Sequence, residues 1–318
     1  MITIGTDCSG IEAPIEALRQ LGVPFQHKWS CEIDKFARQS ILANYEPEIL
    51  YDDITQRNHS QLPDVDIYVC GFPCQSFSLM GKKKGTNDPR SNIMLHCIDV
   101  IKTKRPPVFI LENVKNFMFI ENGKPYNFLK ESLLSITDED GDQVYTIYSS
   151  IYNTKDYGIP QNRERIYIIG IKSEIQHEEF QKPNHIHISP LCNFFIDSTP
   201  NTLYKPCKSL LRNILKLKHN QNVQVITPFT FQSTLSNLCP ALTTQCSKYY
   251  VLQYNRTLLP FECLLLQGFT SNFVQKVTNS QLYKQAGNTM SVNVLKAIFT
   301  QIFKSTVLQN MMTAKTWM

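Results

Sequence analysis

One cysteine of this chain stands where a thiol could act as a nucleophile. Cys74 follows Gly71-Phe72-Pro73, and that tripeptide follows residues 64–70, a largely apolar run with the β-branched content of a buried strand. Because open α/β sheets bind ligands at the carboxyl ends of their strands, this thiol is predicted to lie at the ligand-binding edge of a sheet, on a loop stiffened by proline. The alternative is a structural role, since free cysteine is among the most buried residue types.

Two acidic residues also stand at the ends of predicted strands. Glu112 follows the apolar run 108–111, and Glu32 follows the strand predicted over residues 26–31. A carboxyl group at such a position can hold a proton for a ligand or accept hydrogen bonds from ribose hydroxyl groups. Glu32 lies roughly 20 residues beyond Gly10, which is the spacing of a ribose acceptor in a nucleotide-binding unit. The alternatives are a surface role for Glu32 and a helix N-cap at Glu112-Asn113.

Five short blocks, in order along the chain, resemble those of the DNA (cytosine-5)-methyltransferases. The match extends from residue 2 to about residue 300 with one long unmatched stretch, and five blocks in order at the expected spacing form a highly specific signal. The blocks are Gly71-Phe72-Pro73-Cys74-Gln75, Glu112-Asn113-Val114, Gln161-Asn162-Arg163-Glu164-Arg165, Arg256-Thr257-Leu258-Leu259-Pro260-Phe261-Glu262 with Leu266-Gln267-Gly268-Phe269, and Gln285-Ala286-Gly287-Asn288-Thr289.

The resemblance implies methyl transfer to C5 of a cytosine in a specific duplex DNA sequence, through a covalent bond between Cys74 and C6. Cytosine C5 is a poor nucleophile, and a thiolate that adds to C6 activates it. Glu112 would hold a proton for N3 and accept from the 4-amino group, and Arg165 would face O2, supported by Arg163. Arg163 and Arg165 alternate in sequence, so both are predicted to point from one strand face into one cleft. The alternative for the arginines is a solvated basic stripe.

The cofactor implied by the resemblance is S-adenosylmethionine. The loop after the first predicted strand, residues 7–12, keeps Gly10 of the family's Phe-x-Gly-x-Gly pattern but has Cys8 for the Phe and Glu12 for the second Gly. Such a loop presents backbone N–H groups at a helix start, where a charged ligand can lie. By resemblance, Ile33 would contact adenine and Asp53 would accept from its amino group. The predicted cofactor-binding residues are Cys8, Gly10, Glu32, Ile33, Asp53, Ile54, Pro73, Ile93 and Asn288.

Contacts with DNA are predicted in and after the Cys74 loop. No side chain can reach C5 or C6 of a stacked base, so the cytosine has to be rotated out of the helix, at a cost of a few kcal/mol. The loop residues would close over the base, and the lysines that follow would bind DNA phosphates. The alternative for the lysines is an ordinary solvated run. The predicted DNA-binding residues are Gln75, Ser76, Ser78, Lys82, Lys83 and Lys84.

Length, charge and cysteine content limit the domain number, the partners and the cellular compartment that we expect for this protein. The 318 residues are enough for one large α/β domain and a smaller one, and the net charge of +5 is compatible with a polyanionic partner. The ten cysteines lack a paired metal-ligand spacing, so we expect no bound metal. We expect free thiols in a reducing compartment instead. A secretory signal and an apolar run long enough to span a bilayer are both missing. We therefore expect a monomer that acts inside the cell, in the cytoplasm, nucleoid or nucleus.

Strand-like and helix-like segments alternate over the first half of the chain, as in a parallel-sheet domain. From about residue 172 to 252 this pattern is lost, apart from the helical spacing of residues 210–217, and helical patterns return at 260–267 and 292–303. The predicted fold is therefore an α/β, Rossmann-like, S-adenosylmethionine-dependent methyltransferase fold with a smaller target-recognition domain. The catalytic and cofactor-binding domain is predicted at 1–171 plus 270–318, and the target-recognition domain at 172–269.

Two other functions fit parts of the sequence. An RNA methyltransferase on the same scaffold would resemble the tRNA branch of the family, which has Pro-Pro-Cys-Gln at the loop and a Cys-Phe-Thr signature, and both are missing here. A catalytically inactive copy that binds DNA would fit the altered glycine loop. Cys74, Glu112, Arg163 and Arg165 are all present, which favours the enzyme.

Overall fold

The computed structural model describes residues 1–73, 93–196, 205–217, 225–228 and 237–311. The chain divides into two units, of which the first comprises Met1–Tyr152, Arg165–Pro183 and Leu295–Met318, and the second Asn153–Glu164 and Asn184–Val294. These bounds differ from the predicted division, chiefly because residues 270–294 belong to the second unit. There the Gln267 side chain donates to the Ala286 carbonyl (2.5 Å), and Val292 N donates to the Gln267 carbonyl (2.8 Å). The catalytic and recognition roles assigned to the two parts stay predictions.

The first unit is built on a seven-stranded sheet with the order β3-β2-β1-β4-β5-β8-β6. Strands β3, β2, β1, β4 and β5 run parallel to one another, and β8 is antiparallel to β5. The parallel strands therefore end at one common edge, which is where a ligand of an open α/β sheet lies. The strands are β1 Ile2–Asp7, β2 Phe25–Cys31, β3 Ile49–Tyr51, β4 Ile67–Cys70, β5 Val108–Val114, β6 Tyr145–Asn153 and β8 Glu164–Lys172.

Helices pack against this sheet because both of its faces are apolar. All four residues of β4 are buried, as are the first six of β5, which explains their continuous apolar runs. Gly5 of β1 is required by close packing, since a Cβ there would lie 2.3 Å from the indole ring of the fully buried Trp29. The helices are α1 Ala13–Gln20, α2 Lys35–Asn44, α3 Ile93–Lys104, α4 Lys124–Leu134 and most of α8 Val292–Ser305.

In its described residues, the second unit has short strands and three α-helices that lie wholly within it. Strand β7 (Gln161–Asn162) pairs in parallel with β10 (Cys239–Pro240), and β11 (Tyr250–Val251) lies between the antiparallel β9 (Val225–Ile226) and β12 (Arg256–Thr257). Buried Leu210 and Leu217 pack with Ile226 and Tyr250 in a small core. The helices are α5 Lys208–Leu217, α6 Pro260–Leu266 and α7 Asn279–Asn288.

The predicted α/β class is confirmed, and the strands predicted at residues 26–31, 64–70 and 108–111 correspond to β2, β4 and β5. Helix α2 begins after an N-cap at Asp34, whose side chain accepts from Phe36 N (2.9 Å). Helices α4 and α7 and the three-residue β3 were not predicted. Over the described residues, no helix is both long enough and apolar enough to span a membrane.

Candidate active site

Glu112 and Arg165 form the central contact of the candidate site. Glu112 lies near the carboxyl end of β5, and Arg165 lies on β8, directly opposite Val114. Arg165 Nε is 3.3 Å from Glu112 Oε1, and the two side chains are 17% and 11% exposed. Coulombic attraction between such largely buried groups is stronger than in water. The structure thus brings together two residues that were predicted to face the cytosine, and their catalytic roles stay predictions.

Asn113 connects this contact to the segment that precedes Cys74. Its Nδ2 donates to the Phe72 carbonyl (3.0 Å), and its Oδ1 accepts from Val114 N (2.8 Å). The Phe72 ring packs edge-on against Phe117, with 5.4 Å between the ring centroids. The alternative of a helix N-cap at Asn113 is wrong, because Asn113 belongs to β5 and Val114 occupies the N-cap of the following 3₁₀ turn, Lys115–Met118. The amide side chain instead fixes the entry to the Cys74 loop.

The predicted nucleophile and all predicted DNA contacts lie outside the described residues. Cys74 follows Pro73, which is exposed and is the last described residue before the gap that ends at Ile93. Ile93 is half-buried at the start of α3 and packs against the core of the first unit. The residues of this gap for which roles are predicted are Cys74, Gln75, Ser76, Ser78, Lys82, Lys83 and Lys84.

Arg163 differs from the prediction. It lies between β7 and β8 and belongs to the second unit, whereas Arg165 belongs to β8 and the first. Its guanidinium is buried and donates to the carbonyls of Leu242 (2.7 Å) and Thr289 (2.8 Å). The prediction that both arginines alternate along one strand is therefore wrong, because the strand pairing is interrupted at Arg163 and its donors satisfy buried carbonyls. Its supporting role in the reaction stays a prediction.

Glu32 lies at the carboxyl end of β2 with both carboxylate oxygens fixed by backbone donors. Gly10 N donates to Oε2 (2.7 Å) and Asp34 N donates to Oε1 (2.9 Å). Burial raises the pKa of Glu32, and the two N–H bonds partly offset that effect. A carboxylate offers about four acceptor positions, so two bonds leave acceptor capacity for vicinal hydroxyl groups. The Gly10 N–H belongs to the loop that was predicted to present N–H groups to a charged ligand. It donates to the Glu32 carboxylate instead.

The neighbouring strand ends bring further predicted cofactor residues to the same edge. Ile33 is 74% exposed directly beside Glu32, which suits an aromatic ring that would cover it. Glu32 N donates to the Tyr51 carbonyl (3.1 Å), so the end of β3 and the following Asp53 lie next to β2. Asp53 Oδ1 accepts from the backbone N and the hydroxyl of Thr55 (both 2.8 Å), and Ile54 is buried. An exposed apolar side chain next to a carboxylate is compatible with the predicted binding of a nucleoside.

Cys8 and Asn288 complete the predicted set. Cys8 is half-buried with a φ of 49° and directly follows Asp7, whose carboxylate accepts from Arg57, Trp29 Nε1 (3.2 Å) and Tyr68 (2.8 Å). Asn288 ends α7 of the second unit and is exposed. The fold therefore gathers Cys8, Gly10, Glu32, Ile33, Asp53, Ile54 and Pro73 at the ends of four adjacent parallel strands, and each role in binding stays a prediction.

Two buried polar groups near this edge were missed by sequence reasoning. Asp7 and Glu12 are both fully buried, and each accepts hydrogen bonds from side chains of other strands. The signal available in the sequence was weak, since it consists only of acidic residues that interrupt apolar segments. Among the described residues, no group of three or more His, Cys, Asp or Glu could hold a metal ion.

Comparison with known proteins identifies the family. A model of C-5 cytosine-specific DNA methylases matches residues 6–304. The type II methyltransferase M.SsoII of Shigella sonnei is 32% identical over 317 residues, which cover 96% of this chain and 80% of that protein. The type II methyltransferase M.HhaI of Haemophilus parahaemolyticus is 31% identical over 301 residues, which cover 87% of each chain.

Solved structures agree on the fold. Dnmt2 methyltransferase of S. pombe superposes with a TM-score of 0.70 at 16% identity, over 96% of this chain and 99% of that one. The methyltransferase EhMeth of Entamoeba histolytica gives 0.70 at 21% identity, over 96% and 98%. At these identities the likeness concerns the fold alone, and the predicted methyltransferase fold is confirmed. From the family match and the curated relatives together, the chain belongs to the C-5 cytosine-specific DNA methylases and is an enzyme that transfers a methyl group to cytosine in DNA.

Proposed function

We propose that this enzyme methylates C5 of a cytosine rotated out of a specific duplex DNA sequence, with S-adenosylmethionine as the donor and a covalent Cys74 adduct as intermediate. The observation that carries the proposal is the 3.3 Å contact between Arg165 and Glu112. It lies next to Asn113, whose side chain holds the Phe72 carbonyl two residues before Cys74. At the carboxyl end of β5, the Glu112 carboxyl thus lies next to the Arg165 guanidinium and to the residue that binds the backbone ahead of Cys74.

Side chains of the protein would carry out separate steps of the reaction. The Cys74 thiolate forms a bond to C6, and the electron pair of the C5–C6 double bond moves toward C5 as Glu112 protonates or hydrogen-bonds N3. Arg165 stabilises charge on the O2 side of the ring and holds Glu112 in place. After methylation, a water molecule takes the proton from C5, the C–H electron pair re-forms the C5–C6 double bond, and the C6–S bond breaks to release the Cys74 thiolate.

The donor would lie along the ends of β1 to β4. Glu32 would accept from the ribose hydroxyl groups, Ile33 and Ile54 would pack on the adenine, and Asp53 would accept from its amino group. When bound, S-adenosylmethionine supplies an electrophilic methyl group. The exposed Ile33 beside the half-buried Glu32 carboxylate supports this choice of cofactor.

Site choice would depend on the second unit, and the enzyme would act as a monomer. The type II names of the relatives support a modification enzyme that protects a particular DNA site from a restriction endonuclease. Because the curated relatives are DNA methyltransferases, duplex DNA is favoured over tRNA as the substrate. Parallel assays of methyl transfer to duplex DNA and to tRNA test that choice.

A trapping experiment tests the covalent mechanism. Duplex DNA with 5-fluorocytosine at the target should give a stable protein–DNA adduct, because fluorine cannot leave C5 as a cation and the thiolate then cannot be eliminated. Cys74→Ala should give no adduct and no methylation while it keeps DNA and cofactor binding. Cys192→Ala, at an exposed cysteine of the second unit, is the matched control and should behave as the wild type. Near-normal turnover of Cys74→Ala would exclude the mechanism.

A further inference from the structure

Glu12 is a buried carboxyl group that none of the catalytic steps uses. It is 0% exposed and stands directly before α1 with a φ of 63°, a backbone conformation uncommon outside glycine. Its side chain does not cap α1, so a local helix-capping role does not account for it. An uncommon backbone conformation and a buried carboxyl at one position are both costly, which indicates that surrounding contacts hold the residue there.

Those contacts come from two strands. Glu12 Oε1 accepts from the hydroxyl of Thr6 on β1 (2.7 Å) and from the hydroxyl of Ser30 on β2 (2.5 Å). Ser30 Oγ lies 3.0 Å from His27 Nε2, so the ring N–H can donate to the same hydroxyl that donates to Glu12. Glu12 therefore joins the start of α1 to β1 and β2 through one oxygen atom.

The same loop is attached to β2 at two further points. Ser9 N donates to the Cys31 carbonyl and Cys31 N donates to Ser9 Oγ (both 3.2 Å). Gly10 N donates to Glu32 Oε2 (2.7 Å). Loop positions 9, 10 and 12 thus bind residue 31 of β2, residue 32 just after that strand, and residue 30 of β2. The bond that Gly10 makes to the Glu32 carboxylate is one of this series of contacts between the loop and the end of β2.

We propose that Glu12 is a positioning residue of the cofactor site: its buried carboxyl fixes residues 9–12 against the end of β2 and thereby sets the position of the Glu32 carboxylate. This inference rests on the proposed role of Glu32 in holding the cofactor. Glu12 itself touches neither cofactor nor substrate in this scheme. Its loss would therefore weaken cofactor binding more than it slows the chemistry at saturating cofactor.

The test measures binding of S-adenosylhomocysteine by calorimetry, together with kcat and the cofactor KM. Glu12→Ala removes the shared acceptor and should raise the dissociation constant and KM at least about tenfold, the equivalent of one lost charge-assisted hydrogen bond, with kcat within about threefold. Glu12→Gln keeps an oxygen that can accept from Thr6 and Ser30, and should restore binding to within about threefold of the wild type.

The matched control is Glu16→Ala. Glu16 is also buried on α1, but its carboxylate accepts from Gln20 (2.8 Å) and from Tyr45 (3.1 Å), and among the described residues its side chain makes no hydrogen bond to the loop or to β2. This variant should lose stability and keep cofactor affinity. Ser30→Ala should reproduce part of the Glu12→Ala effect, and the double variant should bind no worse than Glu12→Ala alone, because both remove the same link.

The outcomes separate this inference from the proposed function. Wild-type protein that fails to bind S-adenosylhomocysteine would refute the cofactor assignment itself. Wild-type binding together with unchanged affinity in Glu12→Ala, or with fully additive effects of Glu12→Ala and Ser30→Ala, would refute the positioning role alone. If Glu12→Ala does not fold, Ser30→Ala decides, since unchanged affinity in that variant contradicts the proposal.

Discussion

At the scale of single residues, the candidate site depends on how a few polar side chains are held. Glu112 and Arg165 contact each other across β5 and β8, and Asn113 binds the backbone ahead of Cys74. A proton donor for N3 has to be fixed in position before the base enters, because a mobile carboxyl would lose much of its effect. The contact of Glu112 with Arg165 and that of Asn113 with the Phe72 carbonyl would fix the proposed proton donor in this way.

Replacing the carboxyl tests this role. Glu112→Gln can still hydrogen-bond the cytosine edge but cannot supply a proton, so kcat should fall by about 10²–10⁴-fold while the affinity for S-adenosylhomocysteine is kept. Glu121→Gln, at an exposed position in the turn that follows β5, is the control and should leave kcat unchanged. A loss below about tenfold in single-turnover measurements would reduce Glu112 to a positioning role.

The buried Glu12 predicts a pH dependence of stability. Burial raises the pKa of Glu12 to about 7, partly offset by hydrogen bonds from Ser30 and Thr6. The folded state therefore binds a proton more tightly than the unfolded chain, and this residue's contribution to stability declines as the pH rises from about 4.5 to 7. Burial also lowers the pKa of His27 to about 4, so the His27 contribution is lost as the pH falls below about 6.5.

Glu12→Gln separates the two effects because it leaves His27 in place. Relative to the wild type, the variant should gain about 2 kcal/mol in free energy of unfolding between pH 5 and pH 8, since only the wild type has to ionise a buried carboxyl. Urea unfolding at several pH values provides the measurement. Parallel pH profiles of variant and wild type would show that Glu12 titrates as it does in the unfolded chain.

At the scale of elements, helix α5 has a distinct surface. Lys208, Arg212 and Lys216 are exposed and follow at intervals of four residues, so they form a row with successive side chains about 6 Å apart. Leu211 and Leu215 lie beside this row and are 45% and 55% exposed. Residues 205–217 contain four basic side chains and no acidic one. In an enzyme that acts on DNA, we expect this row to face phosphates.

The salt dependence of DNA binding tests whether this row of basic side chains contacts DNA phosphates. Exchange of Lys208, Arg212 and Lys216 for Gln should weaken duplex binding and reduce the slope of log Kd against log salt by about 2 to 3, since each neutralised phosphate contributes about 0.9. A triple Gln variant at exposed Lys102, Lys124 and Lys130 of the first unit controls for the loss of charge. An equal slope change in both variants would contradict a specific role for α5.

Elements with a strong local signal were predictable from sequence, and those specified by distant partners were not. Helix α2 carries its own cap at Asp34, and β4 is a short apolar run, so both could be located. Helix α4 buries only Pro125, Leu129 and Leu133, which is too sparse a pattern to predict a helix. The contacts of Arg163 with residues 242 and 289, and of Glu12 with Ser30, arise only on folding and leave no local signature.

At the scale of the whole molecule, we expect the two units to separate chemistry from site choice. The residues that would hold the cofactor belong to the first unit, apart from Asn288, while most of the stretch that matches none of the five blocks, residues 184–252, lies in the second unit. Substitution of exposed polar residues there, such as Thr243, Gln245 and Lys248, should change which sites are methylated or weaken site binding by about 1–3 kcal/mol per lost base contact.

Bisulfite sequencing and titration with S-adenosylhomocysteine together check this separation. Site preference should shift across a panel of such variants while cofactor affinity stays within about twofold of the wild type. Loss of cofactor binding across the panel with an unaltered site preference would assign these residues to the catalytic machinery instead.

The strand order of the first unit has a consequence for biosynthesis. Strand β8 lies between β5 and β6 in the sheet, although the ribosome makes β6 first. Until β8 has emerged and paired with β5, the nascent chain exposes the edge of β5, and β6 has no place in the central sheet. An open strand edge invites pairing with other chains. A pause in translation between codons 153 and 164 would prolong that exposure, so codon choice in this short interval should influence the yield of folded enzyme.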